Sequence, residues 1–197
     1  MPMLTQLRQD HANMARLLHV LQLKHKTLAD GDRPDFRLIR EVVDYILDYM
    51  SGFTIPLERI CSDQLVARES KITELSNRLA DDYQHLHQQL MRLSQDIDMI
   101  LMDGVMPMDK FANDLKSYLE AHRAYLRAER EELFPLIREH FDEDDLARLA
   151  NELPANAGAE LARLQEAYPE LYTEFREAPS PLSVSYTHLT LPTIYSV

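Results

Sequence analysis

The stretch HRAYLRAEREELFP occupies residues 122–135. On a helix, side chains three and four apart share a face, so His122, Tyr125 and Glu129 fall in one row with Leu119, Leu126 and Leu133 beside it. The leucines mark that row for burial, because a helix turns its apolar stripe toward its neighbours. A His, a Tyr and a Glu in the same row therefore need polar company inside the protein.

Three further segments carry the same helical period. The first covers about residues 3–29 and ends at ADGDRP; the second starts near Pro34, a residue suited to a first helical turn, and runs to about Leu65. The third runs from about Glu69 to Met102 and ends at MDGVMP, and the quoted stretch belongs to a fourth from near Pro107 to about His140. Gly31 and Gly104 fall in two of the joints, where helices commonly stop. Nothing reads as a strand. Short joints make successive helices antiparallel neighbours, so the expected fold is all-α, an up-down-up-down antiparallel four-helix bundle over residues 1–150. Its last piece, FDEDDLARLANELP, opens with Asp142 as an N-cap and a solvated acidic first turn at 143–145. A short helical C-terminal extension is expected over 151–179. The remaining SPLSVSYTHLTLPTIYSV, residues 180–197, has no charged residue and no helical period. It resembles the translated read-through of a sequencing adapter and reads as a non-native or disordered tail; a genuine C-terminal strand is the competing reading.

Followed at seam spacing, each helix is apolar at both ends and polar part-way along. The first seam is Leu4, Leu7, His11, Met14, Leu18, Leu21, His25, Leu28; the second is Leu47, Met50, Thr54, Glu58, Cys61, Leu65. The third is Leu75, Leu79, Tyr83, His87, Leu90, and the fourth is Phe111, Leu115, Tyr118, His122, Tyr125, Glu129, Glu132, Leu136. Cys61 reads as a small apolar filler, and Met14, Met50 and Met91 as core packing. A buried, unpaired carboxylate costs several kcal/mol, so inward Glu58 and Glu129 either bond to other polar groups or hold a cation. Inward Glu and His from several helices is how bundles build two-metal carboxylate sites, and such donors suit iron, manganese or zinc.

At these residues the chain resembles a hemerythrin-like (HHE cation-binding) domain. LRQDHANMARLLHVL, residues 7–21, is similar to the family's first-helix segment, with His11 at the ligand position. YLRAEREELFPLI, residues 125–137, is similar to the fourth-helix signature with Glu129 as its acid, and FTIPLERI, residues 53–60, places Glu58 on the second-helix acid. The resemblance implies a non-haem, di-iron type metal site and a role in sensing or handling iron or oxygen species. The chain departs from the family pattern at three ligand positions, which hold Thr54, Tyr83 and Tyr125. His87 lies one turn after Tyr83, and His122 one turn before Tyr125. The candidate metal set is thus His11, Glu58, Tyr83, His87, His122, Tyr125 and Glu129. Phenolate is a hard oxygen ligand for ferric iron, yet Tyr83 and Tyr125 read equally as core aromatics whose hydroxyls bond Glu58 or Glu129.

Composition narrows the partners. A net charge of −12 repels the phosphates of nucleic acid and anionic lipid surfaces. No apolar run reaches the roughly 20 residues that span a bilayer, and the start MPMLTQLRQDH does not read as a secretory signal. One Cys fits a reducing cytoplasm. A metal cation is the expected partner, with no nucleic acid and no membrane. No substrate pocket is evident, so enzymatic turnover has no support in the residues. A metal-free bundle serving as a protein-interaction or regulatory module is the alternative from another class.

Overall fold

The first helix stops where its backbone can turn left-handed. In the computed structural model, which describes residues 3–69, 72–152 and residue 166, α1 spans Met3–Ala29. Beyond it Gly31 takes φ 86°. Its N–H bonds the Leu28 carbonyl and the Asp32 N–H bonds that of Thr27, which satisfies carbonyls the helix end would leave bare. The chain then enters α2, Phe36–Tyr49, under an Asp35 cap whose carboxylate accepts from the N–H groups of Arg37 and Leu38. Pro34 precedes this cap and so lies outside the first turn that its position suggested.

Two helices are interrupted in the same manner. After α2, residues Met50–Thr54 form a π-turn, π1, and Ile55–Arg68 continue as α3. After α5, Met108–Ala128, residues Glu129–Leu133 form π2, and Phe134–His140 continue as α6. In each case the N–H five residues on closes the wide turn, Ile55 to the Met50 carbonyl and Phe134 to that of Glu129. In each case a proline follows at once, Pro56 and Pro135. A proline inside a helix has no N–H to give and its ring crowds the carbonyl four residues back. Inserting one extra residue relieves that crowding without ending the helix.

Between these interrupted rods runs α4, Ile72–Leu101. It ends with Asp103 at φ 57°, so Asp103 and not Gly104 takes the left-handed position. Gly104 is required for another reason: a Cβ there would lie 2.8 Å from the Met99 carbonyl oxygen, which its N–H already bonds.

Helix α1 packs on α2 and α5, α2 and α3 pack on α4, and α4 packs on α5. Contacts at the two ends fix the directions. Arg40 at the start of α2 meets Asp98 at the end of α4, while Ser62 in α3 meets Ser76 near the start of α4. Lys110 meets Asp96 at one end of the α4–α5 pair, and Arg78 meets Glu132 at the other. Gln22 and Arg123, with His11 and Glu129, set α1 against α5–π2 in the same opposed sense. The result is an all-helical bundle, without a strand among the described residues. Its centre is a continuous apolar cluster that includes Leu18, Leu21, Ile39, Ile46, Leu86, Leu90, Phe111 and Leu115. No helix among the described residues is long and apolar enough to cross a membrane.

Three readings of the sequence need correction. Glu132 is exposed and paired with Arg78, because the extra residue of π2 rotates the following seam onto Leu133, Phe134 and Ile137. Met91 is 41% exposed, one position from the buried Leu90 and two from the buried Leu93. Asp145 is buried rather than solvated: it bonds Arg68 at 2.7 Å and shares reciprocal cap bonds with Asp142. The Arg68 guanidinium holds the Asp145 carboxyl below its ordinary range. This ties α7, Glu143–Glu152, to α3. The expected extension beyond 152 and the tail at 180–197 lie outside the described residues, apart from residue 166.

The register shift at π2 is testable by unfolding in urea. Leu133→Ala should cost about 2–5 kcal/mol, the range for a buried leucine, while Glu132→Ala should stay within about 0.5 kcal/mol. A larger loss at Glu132 than at Leu133 would restore the uninterrupted helical register.

Candidate metal centre

The two interruptions fall where the polar side chains gather. Glu129 is the first residue of π2, and Glu58 lies one turn into α3, just past π1 and Pro56. The widened turns thus aim one carboxylate from each interrupted rod into the same interior space; π-turns recur at functional sites for this reason. Glu129 is buried at 4% exposure, and its Oε2 lies 2.5 Å from Nε2 of His11 on α1. The His11 ring meets Phe134 edge-on at 5.0 Å between centroids. The Tyr125 hydroxyl, one turn before Glu129, donates to Oε1 of Glu58. The two carboxylates are near enough to bear directly on each other.

Electrostatics follow from that crowding. Burial, then the neighbouring Glu129 charge, push the Glu58 carboxyl up to about 9. Burial and the charges of Glu129 and Glu58 raise the Tyr125 phenol well above its usual value. Cys61, on α3 one turn past Glu58, is pushed up to about 12 by burial and the same two carboxylates. It is a protonated, inaccessible thiol, as a filler should be.

A second polar pair sits deeper along α5. His122 is fully enclosed, with Nδ1 2.6 Å from the Tyr118 hydroxyl. Burial, then the charge of His11, lower its imidazole to about 3, so it is neutral and keeps a lone pair. His122 therefore lies on the buried seam, beside Tyr125 at 6.2 Å between ring centroids. Sequence reasoning missed Tyr118 as its partner, although the spacing of four residues was there to be read.

Tyr83 of α4 is 6% exposed, and its hydroxyl is buried without a hydrogen bond of good geometry, Ser51 being the hydroxyl that bears on it. His87 is half-buried and stacks on Tyr83 at 6.3 Å; no contact joins it to either carboxylate. The structure thus brings together His11, Glu58, Tyr125 and Glu129, with His122 and Tyr83 adjoining and His87 outside. Thr54 is buried in π1. As placed, the side chains bond one another: among the described residues no three His, Cys, Asp or Glu groups are set out as a ready-made metal cage.

The shift at Glu58 makes a pH prediction for chelator-treated protein. A carboxyl whose folded value lies above its unfolded one binds its proton more tightly when folded, so its stabilisation is full below the ordinary carboxylate range and is lost as pH rises toward about 9. Between pH 6.5 and 8.5, above the window in which His122 acts in the opposite sense, unfolding stability should fall by up to about 1.4 kcal/mol per pH unit. Glu58→Gln should flatten that slope. An equal slope in the variant would place the titration elsewhere.

A protein-family model for the hemerythrin HHE cation-binding domain matches residues 3–137. No curated protein and no solved structure matches the chain. The matched span contains every helix that contributes to the polar centre, from α1 with His11 to π2 with Glu129, and on that match the chain belongs to the hemerythrin HHE cation-binding domain family.

Proposed function

We propose that this chain holds iron at the Glu58–Glu129 centre and serves as a sensor or store for iron or oxygen species. The observation that carries the reading is the crowding of two carboxylates in a buried space, with Glu58 pushed up to about 9. A cation between them would take the place of the Glu58 proton and let both carboxylates carry their charge beside an opposite one, a far larger effect in the interior than in water.

The donor chemistry fits iron. His11, Glu58 and Glu129 would form the metal-holding core, since each comes from a different rod and each is already in the polar cluster. Carboxylate oxygens, imidazole and phenol together suit iron more than the soft metals. Tyr125 would orient Glu58, or ligate as a phenolate in its own right. Tyr118 fixes the His122 ring, and His122, kept neutral by burial, is a nitrogen donor behind Tyr125. Phe134, edge-on against the His11 ring, is an apolar neighbour of this centre. Bound iron would supply one-electron chemistry toward oxygen species. A chain with phenols where the family pattern has imidazoles suits retention and sensing better than reversible oxygen carriage. The acidic net charge of −12 favours capture of a cation from solution, and a reducing, cytoplasmic setting would supply ferrous iron.

A second reading has its own observation. The polar groups already bond each other, His11 to Glu129, Tyr125 to Glu58, Tyr118 to His122. A bundle satisfied in this way needs no metal, and would act as an interaction module.

Elemental analysis after purification without chelator separates the two. The metal reading expects bound iron in the wild type, its loss in Glu129→Ala, and retention in His87→Ala. If a phenolate ligates, the ferric protein shows a broad visible band that Tyr125→Phe shifts or bleaches. A colourless, iron-free wild type that Glu129→Gln leaves unchanged or stabilises would decide for the interaction module.

A further inference from the structure

The far end of α4 and the joint behind it carry a donor type that the polar centre lacks. Four of the nine methionines fall within residues 99–108: Met99, Met102, Met106 and Met108. Met14 and Met50 are buried, at 3% and 1% exposure, whereas Met99 is 46% exposed, Met102 is 82% exposed and Met106 is half-buried. Met102 is one residue past α4, yet its N–H still bonds the Asp98 carbonyl at 3.0 Å, so it keeps the helical spacing from Met99. Side chains three apart on a helix share a face, at about 5–6 Å between Cβ atoms. The joint then folds back toward them. Asp103 takes the left-handed position, and the Gly104 N–H bonds the Met99 carbonyl at 2.7 Å. Gly104 sits so close that a Cβ there would lie 3.5 Å from that of Met99. Met106, two residues on, packs against the edge of the core. Met108 belongs to another side of α5: Lys110, two residues later, reaches Asp96 of α4, and side chains two apart do not face alike.

The electrostatics of this end are the second observation. The last turn of α4 has no basic residue, so the negative end of a 30-residue helix dipole has no cationic side chain within its own turn. A cation is favoured there. The thioether is a soft, polarizable donor with no proton to lose, so its affinity for a metal does not depend on titration. Thioethers select cuprous copper, whereas harder divalent ions prefer carboxylate, carbonyl and water. Leu101 and Val105 are exposed beside these methionines, which allows the competing reading of an apolar contact patch. A patch has no use for sulfur, and that difference separates the two.

We propose that Met99, Met102 and Met106 form a thioether site for a soft monovalent cation, cuprous copper by class. Two donors come from the end of α4 and the third from the joint. Long unbranched side chains at exposed positions can close around the ion without moving the core. The site is separate from the carboxylate centre: Met99 lies four turns beyond Tyr83 on α4, roughly 24 Å at the rise of an α-helix. It therefore stands or falls independently of iron.

The probe is silver(I), a redox-inert stand-in for cuprous copper, titrated into the chelator-treated full chain in chloride-free buffer. The readout is the methyl NMR signal of each methionine, which reports on the sulfur it is attached to. Saturable shifts at Met99, Met102 and Met106 are expected, with Met14 and Met50 unmoved. Met91 is the internal control, an exposed thioether more than two turns before Met99. The variants are Met102→Leu and the double change Met99→Leu with Met102→Leu, which keep volume and apolar character at exposed positions. Met102→Leu should weaken binding by about tenfold or more, since even a partner behind a ligand costs about 10- to 100-fold, and the double change should abolish it. Equal shifts at Met91, absence of saturation, or unchanged affinity in the double variant would overturn the proposal. So would equal shifts with zinc(II) in place of silver(I), because the selection would then not be for a soft ion. Competition with a cuprous chelator under nitrogen then repeats the measurement with copper itself, and a failure of copper to bind there also overturns it.

Discussion

Two carboxylates forced into one apolar interior set the terms for this structure. Glu58 and Glu129 come from different rods, the second buried and the first half-buried, and bear directly on each other. Isolated, each would cost several kcal/mol. Everything close by answers that cost. His11 bonds Glu129, Tyr125 bonds Glu58, and Cys61 remains a neutral thiol behind them. The backbone is bent to the same end: π1 and π2, each followed by a proline, turn the two acids inward within otherwise continuous helices.

Much of the bundle is legible in the sequence, because a packed helix must repeat its apolar face every three to four residues. The seams through Leu18 and Leu21, Leu86 and Leu90, and Phe111 and Leu115 are buried as that period requires. What the period cannot show is a change of period. The extra residue at π2 turns Glu132 out to Arg78 and keeps Leu133 in, and a reading with one register puts Glu132 on the buried seam. Pro135 is the local signal of that break. Asp145 escapes for a different cause: its burial depends on Arg68, a partner 77 residues away that no local pattern can supply.

The polar centre was legible by type and only partly by arrangement. His11, Glu58 and Glu129 meet as the seam positions imply, whereas His87 stays with Tyr83 at the margin. Tyr118 gained its place from a contact within its own helix, and Tyr83 lies against His87 and beside a cavity that exists only once α3 and α4 have packed. Such features belong to the packed bundle and have no counterpart along the chain. Acidic and imidazole groups converge between the rods, and a largely apolar chamber opens beside them.

The central claim is that a cation belongs between Glu58 and Glu129. It is tested most directly by crystals of iron-soaked protein measured on either side of the iron absorption edge. The account predicts an anomalous peak within coordinating distance of both carboxylates and of His11 Nε2. An iron-soaked crystal with no peak there, and with the Glu58 and Glu129 carboxyl groups hydrogen-bonded to each other, would contradict it.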